Sequence, residues 1–330
     1  MKNLITSSQL TPKMIEQIFL KAERFESGLK KGIKTLDILK GITVCTLFYE
    51  ESTRTRFSFE KATHNLGGNI ISTESASHFS SAHKGESLEH TIKVISNPNN
   101  PHLRYADIIV LRHPEKGAAQ RAANVSGVPI INAGDGFGEH PTQALLDIYT
   151  FKKILGRLNN FNIAFVGDLR FSRIIKSDAV LLSKYPGIKM FFVSPKEFRI
   201  REELRLYLSQ NNIAFEECNN IKTVIKKIDI AYIVRIQKNR LKGIKKILLC
   251  WKYERQKDNF SATKEIYEMS EKRGTFFCHP MPIDKKEKEI SPEIENLSRV
   301  KIFEQAGYGV PVRMAILDIL YKDSKKPRNE

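Results

Sequence analysis

The chain has 330 residues, of which 41% are hydrophobic, enough for two domains with real cores, and no apolar run approaches the ~20 residues of a membrane span. Its net charge is +17, but the densest basic tracts, 238–246 and 285–288, lack interleaved aromatic residues, so the charge reads as solvated faces that attract dianionic substrates rather than as a nucleic-acid module. Cys45, Cys218, Cys250 and Cys278 are isolated and form no CxxC pair, which suits a reducing compartment and argues against a zinc site.

No signal-peptide pattern opens the chain, so a cytoplasmic protein without a membrane partner is expected. Thr11-Pro12 predicts a first helix, with a capping residue followed by Pro at the first helical position. Residues 42–49 form an apolar run that reads as a buried strand. It ends in Glu50-Glu51 and then Ser52-Thr53-Arg54-Thr55, where a helical pattern begins that Gly67-Gly68 closes. A helix starting at the carboxyl end of a strand turns its first open N–H groups outward, and its dipole favours an anion. Hydroxyl groups and a guanidinium at the same point make a phosphate site. On its own, Ser-Thr-Arg-Thr also fits an ordinary helix cap with a solvated Arg.

A strand is predicted at 69–73, then a long hydroxyl-rich loop over 74–86 and a helix over 87–95. Asn97-Pro98-Asn99-Asn100-Pro101 is a loop by its breakers. A strand over 107–111 delivers Arg112-His113-Pro114, and another over 128–132 leads to Gly134-Asp135-Gly136 and then His140-Pro141-Thr142-Gln143, which opens a helix. Near 156–160 the pattern restarts. Strands are predicted at 161–166, 189–193, around 214, at 229–234 and at 275–278, with a helix near 202–210 and a last amphipathic helix over about 311–321. Alternating strands and helices of these lengths predict two doubly wound α/β domains, each with a central parallel sheet flanked by helices.

Polar residues gather at the predicted strand ends: Ser52, Thr53, Arg54, Thr55, Arg112, His140, Gln143, Arg173, Arg235, Gln237 and the His279-Pro280-Met281-Pro282 turn. Any one of these arginines also fits a surface ion pair. Together they describe a cleft for something carrying several negative charges. There is no dinucleotide fingerprint, Walker loop, nucleophile elbow or metal-ligand spacing, so no cofactor is expected. Arginines, a His able to stay neutral and hydroxyls suggest direct transfer between two bound substrates, driven by proximity and charge stabilisation.

Ser52-Thr-Arg-Thr55, Lys84-Gly85-Glu86, Arg112-His113-Pro114, Asn132-Ala-Gly-Asp-Gly136, His140-Pro-Thr-Gln143, Arg235-Ile-Gln-Lys238 and His279-Pro-Met-Pro282 stand in the order and spacing of the aspartate/ornithine carbamoyltransferase family, and resemble its aspartate branch over nearly the whole chain. The ornithine branch typically carries a Cys in the last of these turns. Here Pro280-Met281 stands there, and Arg235 with Gln237 suits a second carboxylate. The resemblance implies carbamoyl transfer from carbamoyl phosphate to L-aspartate, giving N-carbamoyl-L-aspartate and phosphate on the way to pyrimidines.

Carried over residue by residue, it implies that Ser52, Thr53, Arg54 and Thr55 hold the phosphate. Thr55, Arg112 and His140 would donate to the carbonyl oxygen, and Gln143 would position the carbamoyl amide. Arg173 would bind the α-carboxylate of aspartate, Arg235 and Gln237 the β-carboxylate, and Met281-Pro282 the amino group. Residues 1–150 would bind carbamoyl phosphate, 151–304 would bind aspartate, and a C-terminal helix at about 305–330 would pack back onto the first domain. Ser80 and Lys84 would complete the site of a neighbouring subunit in a homotrimer with shared active sites, Glu50 and Arg240 would tie the domains in a closed state, and a separate regulatory chain is a further partner the family admits. For Glu50 the plainer reading is an acid at a helix start.

The chain departs from the family at 97–103, which reads as a surface insertion, at Ile283, where Arg is usual, and over the unusually basic 242–260. The competing readings are a sister enzyme with another acceptor such as ornithine, a non-catalytic paralogue, and a basic nucleic-acid-binding protein that rests on charge alone.

Overall fold

A computed structural model describes residues 1–76, 85–237, 253 and 256–325. The chain divides into two compact units, Met1–Tyr149 with Tyr308–Glu330, and Thr150–Gly307. Each is an α/β unit around a parallel sheet.

In the first unit α1 (Pro12–Lys30) is capped as its sequence predicts, with Thr11 Oγ1 accepting from the Met14 N–H at 3.2 Å. Then come β1 (Thr43–Phe48), α2 (Thr53–Asn65), β2 (Asn69–Thr73), α3 (Leu88–Ser96), β3 (Ile108–His113), α4 (Ala118–Val125), β4 (Ile130–Asp135) and α5 (Pro141–Leu155). The strand order is β2-β1-β3-β4. Leu4 extends the β4 edge, its N–H donating to the Ile130 carbonyl at 2.9 Å. Every residue of β4 is buried, as expected for a parallel strand covered on both faces. Helix α4 was not expected from the sequence. Its buried side chains are Ala118, Ala119 and Ala122, and an alanine stripe gives a weak apolar signal. The 97–103 insertion is largely exposed and ends in a single helical turn, Pro101–Leu103.

The second unit contains β5 (Asn162–Gly167), α6 (Arg173–Leu182), β6 (Lys189–Val193), α7 (Glu202–Gln210), β7 (Ala214–Cys218), β8 (Ile230–Val234), α8 (Lys264–Met269) and β9 (Phe276–Cys278). Its order is β7-β6-β5-β8-β9. Ile163, Ala164, Phe165 and Val166 alternate in direction along β5, yet all are fully buried, so helices cover both faces. Phe165 packs on Phe192 and Tyr232 with ring centroids 5.7 Å apart in each case. Burying each such side chain contributes about 1.5–3 kcal/mol, which makes this strand the spine of the unit. Most of the basic 242–260 segment lies outside the described residues.

The last helix, α9 (Ile302–Ser324), starts well before Pro311, where its amphipathic pattern begins, and close to the 305 that the family resemblance implies. Pro removes one backbone donor, and the apolar contacts of the helix outweigh that loss. In the first unit its Tyr308 ring lies 5.4 Å from that of Tyr149, and Lys21 of α1 pairs with Asp318 at 2.5 Å.

Candidate functional site

In an open parallel sheet, ligands bind beyond the carboxyl ends of the strands, at the point where the winding reverses. In the first unit the chain winds from β1 outward to β2, then returns past β1 to β3, so that point lies between β1 and β3. Phe48 pairs with Arg112 across it. The loop from Tyr49 to Ser52 and the Arg112 side chain therefore leave the sheet together.

Ser52 caps α2 without using its side chain, and its carbonyl receives the Arg56 N–H at 3.1 Å. The N–H groups of Thr53, Arg54 and Thr55 precede that first helical bond and point off the helix end. Thr53 and Arg54 are exposed, while Thr55 is buried. The helix start that the sequence predicts is present, and an open start of this kind favours an anion. Arg112 Nη1 donates to the Ala133 carbonyl at 3.4 Å, and its Nε lies 3.6 Å from Glu50 Oε2. Glu50 thus sits beside Arg112 within the first unit, and Arg240, its implied partner, lies outside the described residues.

His140 follows β4 and is buried at the start of α5. The Gln143 N–H points at His140 Nδ1 over 3.3 Å, and the Thr142 hydroxyl is equally close. With the helix start donating to Nδ1, the proton of the neutral ring belongs on Nε2, which is then a donor. Gln143 is also buried, and its Nε2 donates to both Asp147 oxygens, at 3.1 and 3.2 Å.

A web of backbone contacts holds these loops. Asp135 accepts from the Glu139 N–H at 2.7 Å and from the Gly117 N–H at 2.8 Å. The Gly136 N–H donates to the His113 carbonyl at 2.8 Å. Gly136 has φ 54°, and a Cβ there would lie 2.2 Å from the Pro114 carbonyl oxygen, so only glycine fits. The His113 ring lies tilted against Tyr49, with centroids 4.7 Å apart, and accepts the Glu115 N–H on Nδ1 at 3.1 Å. Burial pushes its pKa down and favours the neutral ring.

In the second unit the winding reverses between β5 and β8, which pair along their length. The exit from β5 carries Asp168 and Arg173, and the exit from β8 carries Arg235 and Gln237. Asp168 is fully buried and joins the two exits. Its Oδ1 accepts from Phe171 N–H at 2.9 Å and Arg170 N–H at 3.2 Å, and its Oδ2 from Gln237 N–H at 3.1 Å. Arg173 opens α6 and is half-buried, as are Arg235 and Gln237. Gly167, with φ 116°, lets β5 lie so close to β8 that a Cβ would meet the Val234 carbonyl at 2.2 Å.

The 279–282 turn follows β9, the neighbour of β8. His279 Nδ1 accepts the Met281 N–H at 2.8 Å, and the His279 N–H donates to Gln305 at 2.9 Å. Met281 has φ 59° and precedes a cis Pro282. Ile283 packs half-buried against the core of this unit, which accounts for an apolar residue there.

Each sheet thus gathers its own share of the predicted residues at a carboxyl edge. Ser52, Thr53, Arg54, Thr55, Arg112, His140 and Gln143 belong to the first unit, and Arg173, Arg235, Gln237, Met281 and Pro282 to the second. Ser80 and Lys84 lie outside the described residues. Asp147 and Asp168 were not singled out from the sequence as supports for these residues. The usable signal for Asp147 was a carboxylate interrupting the apolar run Ala144-Leu-Leu-Asp-Ile-Tyr149. Among the described residues no group of His, Cys, Asp and Glu is arranged to hold a metal. Burial pushes the Cys45 thiol up to about 12, so it is no thiolate nucleophile.

Residues 2–153 match the family model for the aspartate/ornithine carbamoyltransferase carbamoyl-P binding domain, and residues 159–320 that for the Asp/Orn binding domain. Among curated proteins, the chain is 41% identical over 326 residues to the aspartate carbamoyltransferase catalytic subunit of Methanocaldococcus jannaschii, covering 98% of this chain and 99% of that one. It is 40% identical over 321 residues to the chloroplastic aspartate carbamoyltransferase of Arabidopsis thaliana, covering 97% of this chain and 78% of that one. Among solved structures, the M. jannaschii aspartate transcarbamoylase catalytic subunit superposes with a TM-score of 0.86 at 40% identity, with full coverage of both chains. The Trypanosoma cruzi aspartate transcarbamoylase in complex with carbamoyl phosphate and aspartate gives a TM-score of 0.86 at 29% identity, covering 96% of each chain.

Proposed function

We propose that this chain, which belongs to the aspartate/ornithine carbamoyltransferase family, is an aspartate carbamoyltransferase. It transfers the carbamoyl group of carbamoyl phosphate to the α-amine of L-aspartate, with N-carbamoyl-L-aspartate and phosphate as products. The observation that carries this reading is the meeting, at the reversal between β1 and β3, of an open helix start and Arg112, joined at the neighbouring β4 edge by a His140 whose ring geometry leaves Nε2 as donor.

In the first unit, Ser52 and the N–H groups of Thr53, Arg54 and Thr55, with the Arg54 guanidinium, bind the phosphate. Thr55, Arg112 and His140 Nε2 donate to the carbamoyl oxygen. As the amine lone pair attacks the carbamoyl carbon, negative charge builds on that oxygen, and these donors stabilise it. The C–O bond to phosphate then breaks, the leaving group departs into a seat already built for an anion, and the amine loses its proton. Gln143 holds the carbamoyl amide in line.

In the second unit, Arg173 takes the α-carboxylate and Arg235 with Gln237 the β-carboxylate, while the Met281 carbonyl, turned by its positive φ and by Pro282, orients the amine. The units accordingly serve as carbamoyl-phosphate-binding and aspartate-binding domains. A homotrimer in which Ser80 and Lys84 enter the neighbour's site, a cytoplasmic location and a place in de novo pyrimidine synthesis complete the reading. A regulatory chain is consistent with the catalytic-subunit names of the archaeal relatives. Positioning and electrostatics supply the catalysis throughout.

The test is phosphate release from carbamoyl phosphate with L-aspartate and with L-ornithine in parallel. Aspartate-dependent release matched by carbamoylaspartate is expected. Faster turnover of ornithine would reverse the choice of acceptor, and no release with either from a folded oligomer would overturn the reading.

A further inference from the structure

Asp147 has no part in the reaction as written, yet it is fully buried on α5, one turn beyond Gln143. Both of its oxygens accept from Gln143 Nε2. The two ends of a glutamine amide are nearly alike in shape and opposite in hydrogen bonding. A carboxylate offers only acceptors, so it selects the NH₂ end and turns Oε1 away. The spacing of four residues lets the two side chains meet along one helix face.

A buried carboxylate is costly unless a positive charge compensates it. Arg313 on α9 is a buried cation whose charge bears on Asp147. It is 3% exposed, and its guanidinium carbon lies 5.1 Å from the Phe59 ring centroid on α2. Burial pushes its pKa down to about 10, and the Asp147 charge works against that fall. Helix α9 makes room for the group, since a Cβ on Gly309 would meet Arg313 Nη1 at 2.3 Å. Glycine within a helix is less stabilising than alanine, so the helix gives up stability to seat the guanidinium.

We propose that Asp147 is a positioning residue, which locks the Gln143 amide with Oε1 presented to the N–H donors of the carbamoyl group, and that Arg313 is its buried counter-charge. This rests on Gln143 being the carbamoyl-amide contact. A Gln143 free to flip presents NH₂ to NH₂ for part of the time, and that orientation binds no carbamoyl amide.

The experiment compares Gln143→Ala, Asp147→Asn and the double variant in the intact chain, with kcat and KM for carbamoyl phosphate and unfolding midpoints for each. Asn can turn either end of its amide toward Gln143, so it removes the selection with almost no change in shape. Asp147→Asn is expected to raise the KM for carbamoyl phosphate and to lower kcat/KM about tenfold, the loss of one charge-assisted hydrogen bond. The double variant should be no worse than Gln143→Ala. If Asp147→Asn fails to fold because Arg313 is left unpaired, Asp147→Asn with Arg313→Met removes both charges and should fold with the same kinetic deficit. A neutral Gln143→Ala would overturn the reading of Gln143, and this proposal with it. A costly Gln143→Ala with a neutral Asp147→Asn, or losses that multiply in the double variant, would overturn the proposal alone.

Discussion

Replacing Gly136 by Ala separates two costs that the fold puts at one residue. With φ 54°, an alanine there adopts the left-handed region, at about 1–2 kcal/mol. Its Cβ would also lie 2.2 Å from the Pro114 carbonyl oxygen and 3.0 Å from the Lys116 nitrogen, both backbone atoms that cannot rotate away. Relieving such a contact needs a backbone shift of roughly 1 Å, and overpacking of this kind costs about 1–3 kcal/mol. The sum is about 2–5 kcal/mol. Gly32 provides the control, since its φ is 83° and nothing lies within 4 Å of a Cβ. Gly32→Ala should therefore show the dihedral cost alone. The displaced loop begins directly after Arg112-His113, so activity should fall further than stability predicts, by roughly a hundredfold for a 1 Å misplacement of a catalytic group. Denaturant unfolding and carbamoyl-phosphate kinetics read the two effects. If Gly136→Ala were no less stable than Gly32→Ala, the contact argument would be refuted.

Arg54→Ala should nearly abolish transfer, by about 10³-fold or more, with an unchanged unfolding midpoint, because an exposed guanidinium contributes to the anion seat and little to the core. An unfolding midpoint that fell along with the activity would mean the residue is structural. Mixing inactive Arg54→Ala chains with inactive Lys84→Ala chains should restore some activity if sites are shared between subunits, and no recovery from proven mixed oligomers would count against sharing. The depressed pKa of His113 sets a pH dependence. The folded state holds the ring neutral, so stability is present above the unfolded value of about 6.5 and is lost as pH falls from there through the folded value. His113→Asn, which keeps an acceptor for the Glu115 N–H, should flatten that part of the acid slope measured by thermal unfolding, and an unchanged slope would refute the assignment.

The elements that were legible from the sequence have strong local signals. Thr11-Pro12 is a cap that works within its own turn, and the β1 run is broken only by threonines, which are themselves strand formers. The elements that were missed have weak ones: the alanine stripe of α4 and the six residues of α8, while the turns of α9 ahead of Pro311 were expected from the family resemblance and not from their own periodicity. The same contrast holds for the candidate site. Ser52-Thr-Arg-Thr55 and His140-Pro-Thr-Gln143 are contiguous and announce helix starts at strand ends. The supports of these motifs come from distant or inconspicuous positions. Asp168 joins two loops some seventy residues apart, with Gln237 N–H on one side and Phe171 N–H on the other.

What the sequence determined by itself was chemistry and order: which residue types stand after which strands, and hence a family and the residues proposed for its site. Those follow from hydrogen bonding and periodicity over a few residues, where neighbours along the chain are neighbours in space. Strand order was decided only in the tertiary structure. It alone sets β1 beside β3 and β5 beside β8, and so brings Arg112 to the helix start of Ser52 and Gln237 to Asp168. It also put both Arg313 and Asp147 in the interior, against the rule that charge lies outside. The physical reason is that a buried charge is stable only where other groups compensate it, and where those groups lie depends on how the elements pack, which no local pattern of residues encodes.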